Sequence, residues 1–314
     1  MSDSSSGHRP FRIAHLSDLH LTADNADARH EPKLANRLTG MNDTFRRIAA
    51  AQPIQQADLM LVTGDITDQG QARAWQQFRK TVADAGLAAR TLVVLGNHDV
   101  CSLSPRIGSH KELRRTDLDR ARRGLVLCGQ PARYPWALEV RKDIVVFGLD
   151  SNNSGNLSPV TNAIGRLGFR QLAAFAGLLH KHRDAAIKIV MLHHSPSIAN
   201  RPASWRRGRP PVGMVTRWLH QLPEEDRRAF RLLCLTHRVR LILHGHLHEA
   251  EDRLVNGLRI VGAPAATEPL SLSAAASTPR RFPFFHYTVG SPSGRITRAL
   301  RTIALPVAPA ARRS

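Results

Sequence analysis

The stretch Phe11-Arg12-Ile13-Ala14-His15-Leu16-Ser17-Asp18-Leu19-His20 decides the reading of this chain. A short, mostly apolar run ends in a carboxylate and an imidazole two residues apart. Apolar runs of this length read as buried strands. Polar residues placed directly after one stand at the strand's carboxyl end, where open α/β sheets build their sites. The same grammar recurs four times. Leu59–Thr63 runs into Gly64-Asp65, Leu92–Leu95 into Gly96-Asn97-His98-Asp99, Ile187–Leu192 into His193-His194, and Leu241–Leu243 into His244-Gly245-His246-Leu247-His248.

Helical patterns lie between these runs. Leu34–Ala51 carries Leu34, Leu38, Met41, Phe45 and Ile48 at helical spacing. Gln71–Ala85 repeats it with Ala74, Phe78 and Val82 before Gly86, and Leu167–His182 with Leu172, Phe175, Leu178 and Leu179. Ile144–Leu149, Leu258–Val261 and Phe284–Val289 read as further strands. Strands alternating with such helices predict an α/β sandwich. Segments 101–135, 195–215 and 264–283 read as loops or insertions. The ligand candidates run from near the start to beyond residue 248, which argues for a single domain over 11–305. Polar tails are expected at 1–10 and 306–314.

The chain has 314 residues, 42% of them hydrophobic and only 5% aromatic, so a substantial, mostly aliphatic core is expected. No apolar run reaches the roughly 18–20 residues of a membrane span. Met1–Pro10 lacks the apolar stretch of a secretory signal, which points to a cytoplasmic protein. Cys101, Cys128 and Cys234 are odd in number and widely spaced, which excludes a disulfide framework or thiolate zinc site. The net charge is +20. It reads either as attraction to a polyanionic partner such as an acidic membrane or as genomic composition, since 39 of the 45 basic residues are Arg. Nothing resembles a nucleic-acid-binding module.

Singly, each polar cluster is a weak signal; an Asp after a Gly is often only a turn. Together, five strand ends offer Asp18, His20, Asp65, Asn97, His193, His246 and His248. Carboxylate, amide and imidazole ligands suit Mn, Fe, Zn or Co, and seven are too many for one ion but suit two. Two cations roughly 3.5–4 Å apart neutralise an anionic phosphodiester and acidify a water for in-line attack. A histidine beside the leaving group can supply its proton near neutral pH.

The blocks Asp18-Leu19-His20, Gly64-Asp65-Ile66-Thr67-Asp68, Gly96-Asn97-His98-Asp99, His193-His194-Ser195-Pro196 and Gly245-His246-Leu247-His248, in that order, resemble the calcineurin-like metallophosphoesterase superfamily over roughly residues 11–265. The resemblance implies a four-layer αββα sandwich with two mixed β-sheets packed face to face. It implies that Asp18, His20 and His248 hold one ion, that Asp65 bridges both, and that Asn97, His193 and His246 hold the second. His194 is the alternative to His193. His98 would face the substrate phosphate and protonate the leaving oxygen, with Asp99 orienting it. Asp68 is either a support to a ligand or structural. His15, His30, His110, His180, His182, His220, His237 and His286 lack such context and read as structural; His244 stays open.

The resemblance implies hydrolysis of a phosphodiester or pyrophosphate bond in a small phosphorylated substrate. Arg12–His20 and Gly96–Asp99 are similar to the bacterial cyclic-nucleotide phosphodiesterase branch. The alternative is a pyrophosphohydrolase for a lipid-linked nucleotide such as UDP-diacylglucosamine. It would dock on an acidic inner leaflet through the basic stretch 111–123, the loop around Trp205, and Arg280–Phe285. A non-catalytic scaffold on the same fold would have lost ligands, and here all seven positions are filled.

Overall fold

A computed structural model describes residues 9–29, 38–100, 110–153, 163–197, 220–271, 278–290 and 294–306. Most of both expected tails, Cys101 and the Trp205 loop lie outside the described residues. All eight strands expected from the sequence are present. They are β1 (Phe11–Leu16), β2 (Leu59–Thr63), β3 (Thr91–Val94), β5 (Ile144–Gly148), β6 (Ile187–Met191), β7 (Leu241–His244), β9 (Leu258–Gly262) and β10 (Arg280–Val289). Three more join them: β4 (Trp136–Arg141), β8 (Glu251–Val255) and β11 (Ile296–Leu305).

The strands form two sheets, ordered β11-β10-β1-β2-β3 and β4-β5-β6-β7-β9-β8. The strands that lead to the site motifs run parallel within each sheet; antiparallel β10 and β11 complete one side of the first sheet, where β3 forms the other edge, and antiparallel β4 and β8 form the edges of the second. Both sheets are therefore mixed. The period of two along each strand divides its side chains between two layers. Ile13, Leu59, Leu61 and Val94 of the first sheet meet Ile144, Val146, Ile187, Ile189, Leu241, Leu243 and Val261 of the second in one shared core.

The alternate residues face the helices. Ala14, Met60 and Val62 pack under α1 (Met41–Ala49) and α3 (Ala72–Asp84), through Phe45, Ile48, Phe78 and Val82. Val145, Phe147, Val190 and Ile242 pack under α6 (Phe169–Lys181) and α7 (Glu224–Thr236), through Leu172, Phe175, Leu179, Phe230 and Cys234. The order helix, sheet, sheet, helix is the expected αββα sandwich. It carries the polar ends of β1, β2, β3, β6 and β7 to one edge.

Two corrections apply to the connecting segments. The stretch 101–135, expected as a loop, contains the helix α5 (His110–Leu127); α2 (Gln52–Gln55) and α4 (Asn97–Val100) are single short turns. The stretch 264–283, also expected as a loop, already holds the start of β10 at Arg280. The helix expected from Leu34 is described from Met41, after Gly40 in the left-handed conformation. Among the described residues no helix is long and apolar enough to cross a membrane. Cys234 is buried, and burial pushes its thiol well up; burial pushes the Cys128 thiol up to about 12. Both are protonated and unreactive near neutral pH.

Candidate metal centre

The site begins with backbone geometry. Asp18, His20, Asp65, His246 and His248 all have positive φ, between 46 and 70°, and they are five of the seven such non-glycine residues among those described. Non-glycine residues are uncommon in this region, Asn, Asp and His being the most frequent there, and backbone strain of this kind clusters at functional sites. Cross-links between strand ends maintain it. Asp18 N–H donates to Gly64 O (3.0 Å), His20 N–H to Asp65 O (2.9 Å), and Gly245 N–H to His193 O (3.1 Å). The chains approach so closely that a Cβ on Gly245 would lie 1.8 Å from Ser17 Oγ, and one on Gly64 2.4 Å from His193 Nδ1.

Three groups of ligand atoms result among the described residues; one is His20, Asp68 and His98, and Asp65 belongs to both of the others. Asp18, His20, Asp65 and His248 offer atoms all within 4.8 Å of one another, and so do Asp65, His193 and His246. In the first group, His248 Nε2 lies 3.2 Å from Asp18 Oδ1. His20 Nε2 lies 3.3 Å from His248 Nε2 and 3.6 Å from Asp65 Oδ2. In the second, His193 Nε2 lies 3.3 Å from Asp65 Oδ2 and 3.1 Å from Asn97 Oδ1. Asp65 Oδ2, common to both groups, is buried and has no hydrogen-bond partner. A buried carboxylate oxygen left in that state is costly unless a cation meets it.

Each imidazole is turned by its other nitrogen, as metal-binding histidines require. His193 Nδ1–H donates to Thr63 O (2.7 Å), and His246 Nε2–H to Ala163 O (3.0 Å). His20 Nδ1 faces Asp68 Oδ1 at 3.3 Å, which places Asp68 behind a candidate ligand. His248 Nδ1 faces Glu268 Oε1 at 3.1 Å, and Glu268 also pairs with the fully buried Arg29, whose guanidinium lies 3.2 Å from the His248 ring. In the sequence Arg29 and Glu268 carry no signal: neither follows a strand, and they are 239 residues apart.

The electrostatics follow from burial against these neighbours. Burial works against the Asp65 carboxylate, yet His193, His98 and His20 hold it well below the usual carboxylate range. Burial and the Arg29 charge lower His20 to about 4, and burial with His194 and His193 holds His246 well below the ordinary imidazole value. Neutral imidazoles are what a cation needs. His193 is the exception: burial would lower it, but the Asp65 and Asp18 carboxylates raise it to about 9. A field that favours a proton there favours a metal cation equally. The donor set and the orphaned Asp65 oxygen therefore fit divalent ions.

His98 and His194 are placed differently. His98 N–H donates to Asp65 Oδ1 (2.9 Å), and its Nδ1–H donates to Asp68 O (2.9 Å). The expectation that Asp99 orients this ring is not met. The Asp99 carboxylate accepts N–H groups from Ile66 (3.2 Å), Thr67 (2.8 Å) and Gly96 (2.9 Å), and the Thr67 hydroxyl (2.9 Å). It clamps the Asp65 loop to the Gly96 loop, and the Asp68 carbonyl holds the His98 ring. His194 Nδ1 accepts from the Ser151 hydroxyl (2.9 Å), whose oxygen in turn accepts the N–H groups of His193 (3.1 Å) and His194 (3.0 Å). His193, not His194, is the member of the pair beside Asp65 and Asn97.

His220, read from sequence as structural, lies with its ring 5.0 Å from that of His246. His15 and His244 are buried within the sandwich. His15 Nε2 meets Thr63 Oγ1 at 2.9 Å, and His244 Nδ1 meets Gly245 O at 3.1 Å.

Similarity to known proteins agrees with this geometry. The chain is 28% identical over 263 residues to the 3′,5′-cyclic adenosine monophosphate phosphodiesterase of Pseudomonas aeruginosa, covering 81% of this chain and 75% of that protein. It is 24% identical over 239 residues to a protein of Coxiella burnetii named a probable cyclic nucleotide phosphodiesterase, covering 76% of each. A dimetal phosphatase from Danio rerio shares the fold at a TM-score of 0.58 and 14% identity, over 96% of this chain and all of that one. Residues 11–250 match the calcineurin-like phosphoesterase family, and the chain belongs to it.

Proposed function

We propose that this phosphoesterase hydrolyses the phosphodiester bond of a small nucleotide, a cyclic nucleotide foremost, at a dinuclear metal centre. The observation that carries the chemistry is the shared Asp65, whose unpartnered Oδ2 faces both ligand groups. The choice of substrate draws on the named activity of the relatives that cover three quarters or more of the chain.

In this reading Asp18, His20, Asp65 and His248 hold one ion, and Asp65, Asn97, His193 and His246 the other, with Mn, Fe or Zn as the candidates. When bound, the ions supply charge neutralisation at the phosphate and an acidified water for attack in line with the departing oxygen. Asp65, common to both groups, would hold both ions. Asp68 and Glu268 fix the rings of His20 and His248, and the Thr63 and Ala163 carbonyls those of His193 and His246. His98 keeps its Nδ1 proton on the Asp68 carbonyl, so the proton that moves to the leaving oxygen leaves from Nε2.

The test is a paired assay with Mn-supplemented protein, comparing cyclic AMP with UDP-diacylglucosamine in mixed micelles. Faster cleavage of the cyclic nucleotide supports the proposal. Preference for the lipid nucleotide would replace it with the envelope-lipid reading. Failure on every phosphodiester, a generic one included, would remove the enzymatic reading altogether.

A further inference from the structure

Beside the metal centre, at the same edge of the sandwich, is a cavity of about 840 Å³. Its floor is Leu95, two residues before Asn97, and its walls include Asp150, Asn152, Tyr134 and the first turn of α6. Four arginines line it: Arg122, Arg133, Arg166 and Arg170. Among the described residues, Arg133, Arg166 and Arg170 pair with no carboxylate, and Arg122 has an exposed contact with Asp119 at 3.7 Å and acts on the Asp150 carboxylate through its charge. The single acid in the lining is Asp150. Its carboxylate is taken up by the Asn152 N–H (2.9 Å) and side-chain amide (2.8 Å), and burial pushes its pKa up. Four cations thus face one acid, whose carboxylate is already engaged by Asn152.

The cavity is joined to the metal centre by backbone. Asn152 donates its amide to Leu95 O (3.3 Å), and Arg166 donates its N–H to Ser151 O (2.9 Å). Ser151 is the residue that holds the His193-His194 turn. At the cavity's lip Phe169 is 78% exposed, an unusual position for a ring of that size in an otherwise aliphatic protein. The Arg170 guanidinium sits 5.9 Å from its centroid. Guanidinium forks match phosphate oxygens in pairs, an exposed aromatic face stacks on a base, and the volume is that of a pocket for a small organic ligand.

We propose that this cavity binds a nucleotide, with its phosphate groups on Arg122, Arg133, Arg166 and Arg170 and its base against Phe169. The ligand is a nucleotide separate from the substrate, because the one phosphate of a cyclic nucleotide would lie at the metal centre. The cavity would stand even if the chain cleaved no cyclic nucleotide.

The probe is ADP, titrated calorimetrically into the metal-loaded protein, with inorganic pyrophosphate as the base-free comparison. The double variant R166Q/R170Q is expected to weaken both ligands tenfold or more. Phe169→Ala should weaken ADP several-fold and leave pyrophosphate unchanged. These side chains are exposed and outside the metal centre, so cleavage of bis(para-nitrophenyl) phosphate should stay at the wild-type rate and certify the fold. A variant with a disabled metal centre, Asp65→Asn, should still bind ADP. The KM for a cyclic nucleotide should be unchanged in the double variant; a raised KM would make the cavity part of the substrate site and overturn a separate nucleotide. Unaltered ADP affinity in R166Q/R170Q, or ADP binding that disappears with Asp65→Asn alone, overturns the proposal.

Discussion

Glu268 is the residue on which the metal centre should depend most among those outside its motifs. It is fully buried, and one oxygen, Oε1, meets both the Arg29 guanidinium and His248 Nδ1. Glu268→Gln can keep both contacts through its amide oxygen but removes the charge. The fully buried Arg29 then loses the charge of Glu268, and breaking a buried pair from one side costs up to about 3–5 kcal/mol. Arg29 also lies 3.2 Å from the His248 ring, so its field, no longer offset, opposes cations arriving at Asp18 and His248. Support of this kind behind a metal ligand is worth roughly 10–100-fold in metal affinity, or about 1.4–2.7 kcal/mol. Glu268→Gln should fall at the lower end of that range. Glu268→Ala, which also frees the His248 ring, should fall at the upper end. The assay is a metal titration by calorimetry, with urea unfolding measured with and without chelator, because ions that bind only the native state add their own stability. If Glu268→Ala bound two ions with wild-type affinity and unfolded at the wild-type urea midpoint, the supporting role would be wrong.

Asp65→Asn and His98→Ala should both slow turnover by orders of magnitude, but metal analysis separates them: Asp65→Asn loses ions, whereas His98→Ala retains both and loses about 10²–10⁴-fold in rate. Gly245→Ala puts a methyl 1.8 Å from Ser17 Oγ and 2.7 Å from Asp18 Oδ2; it should displace Asp18 and cut metal affinity with less effect on the second ion, and unchanged metal stoichiometry and affinity would refute the close approach. His15 is lowered to about 3 by burial and by His244. The unfolded chain then takes up a proton near the ordinary histidine value that the folded chain refuses. Its contribution is present above pH ~6.5 and is lost as pH falls toward 3, at up to about 1.4 kcal/mol per pH unit. His15→Gln, which can keep the bond to Thr63, should flatten the urea midpoint against pH between about 6 and 4; a slope equal to wild type would sink that assignment.

The parts of the fold legible in the sequence are those buried on both faces. Ile144–Gly148 and Ile187–Met191 are covered by the first sheet on one side and by helices on the other, so their runs are nearly all apolar and announce themselves. The strands that escaped notice lie at sheet margins. In β11 most residues of Ile296–Leu305 are exposed, and β8 alternates burial over Glu251–Val255, so neither carries an apolar run. In α7 the buried face is Arg227, Phe230 and Cys234, and an arginine at a core position hides the helical period. In α5 a dense run of basic residues dilutes the apolar spacing in the same way.

The sequence by itself determined the seven ligand candidates, because a strand end followed at once by Asp, Asn or His leaves those side chains nowhere to go but the carboxyl edge of the sheet. Strands with two apolar faces separated by amphipathic helices also determined an α/β sandwich, and the motif resemblance supplied its αββα layering. Tertiary structure alone decided what stands behind the ligands. Glu268 reaches His248 only after the chain has closed on Arg29, and Asp99 is drawn to the backbone of Ile66 and Thr67 rather than to the neighbouring His98 ring. His193 rather than His194 meets Asp65 because Ser151, 42 residues upstream of His193, fixes the turn. Such contacts depend on where distant segments meet in space, and no local period in the chain encodes that meeting.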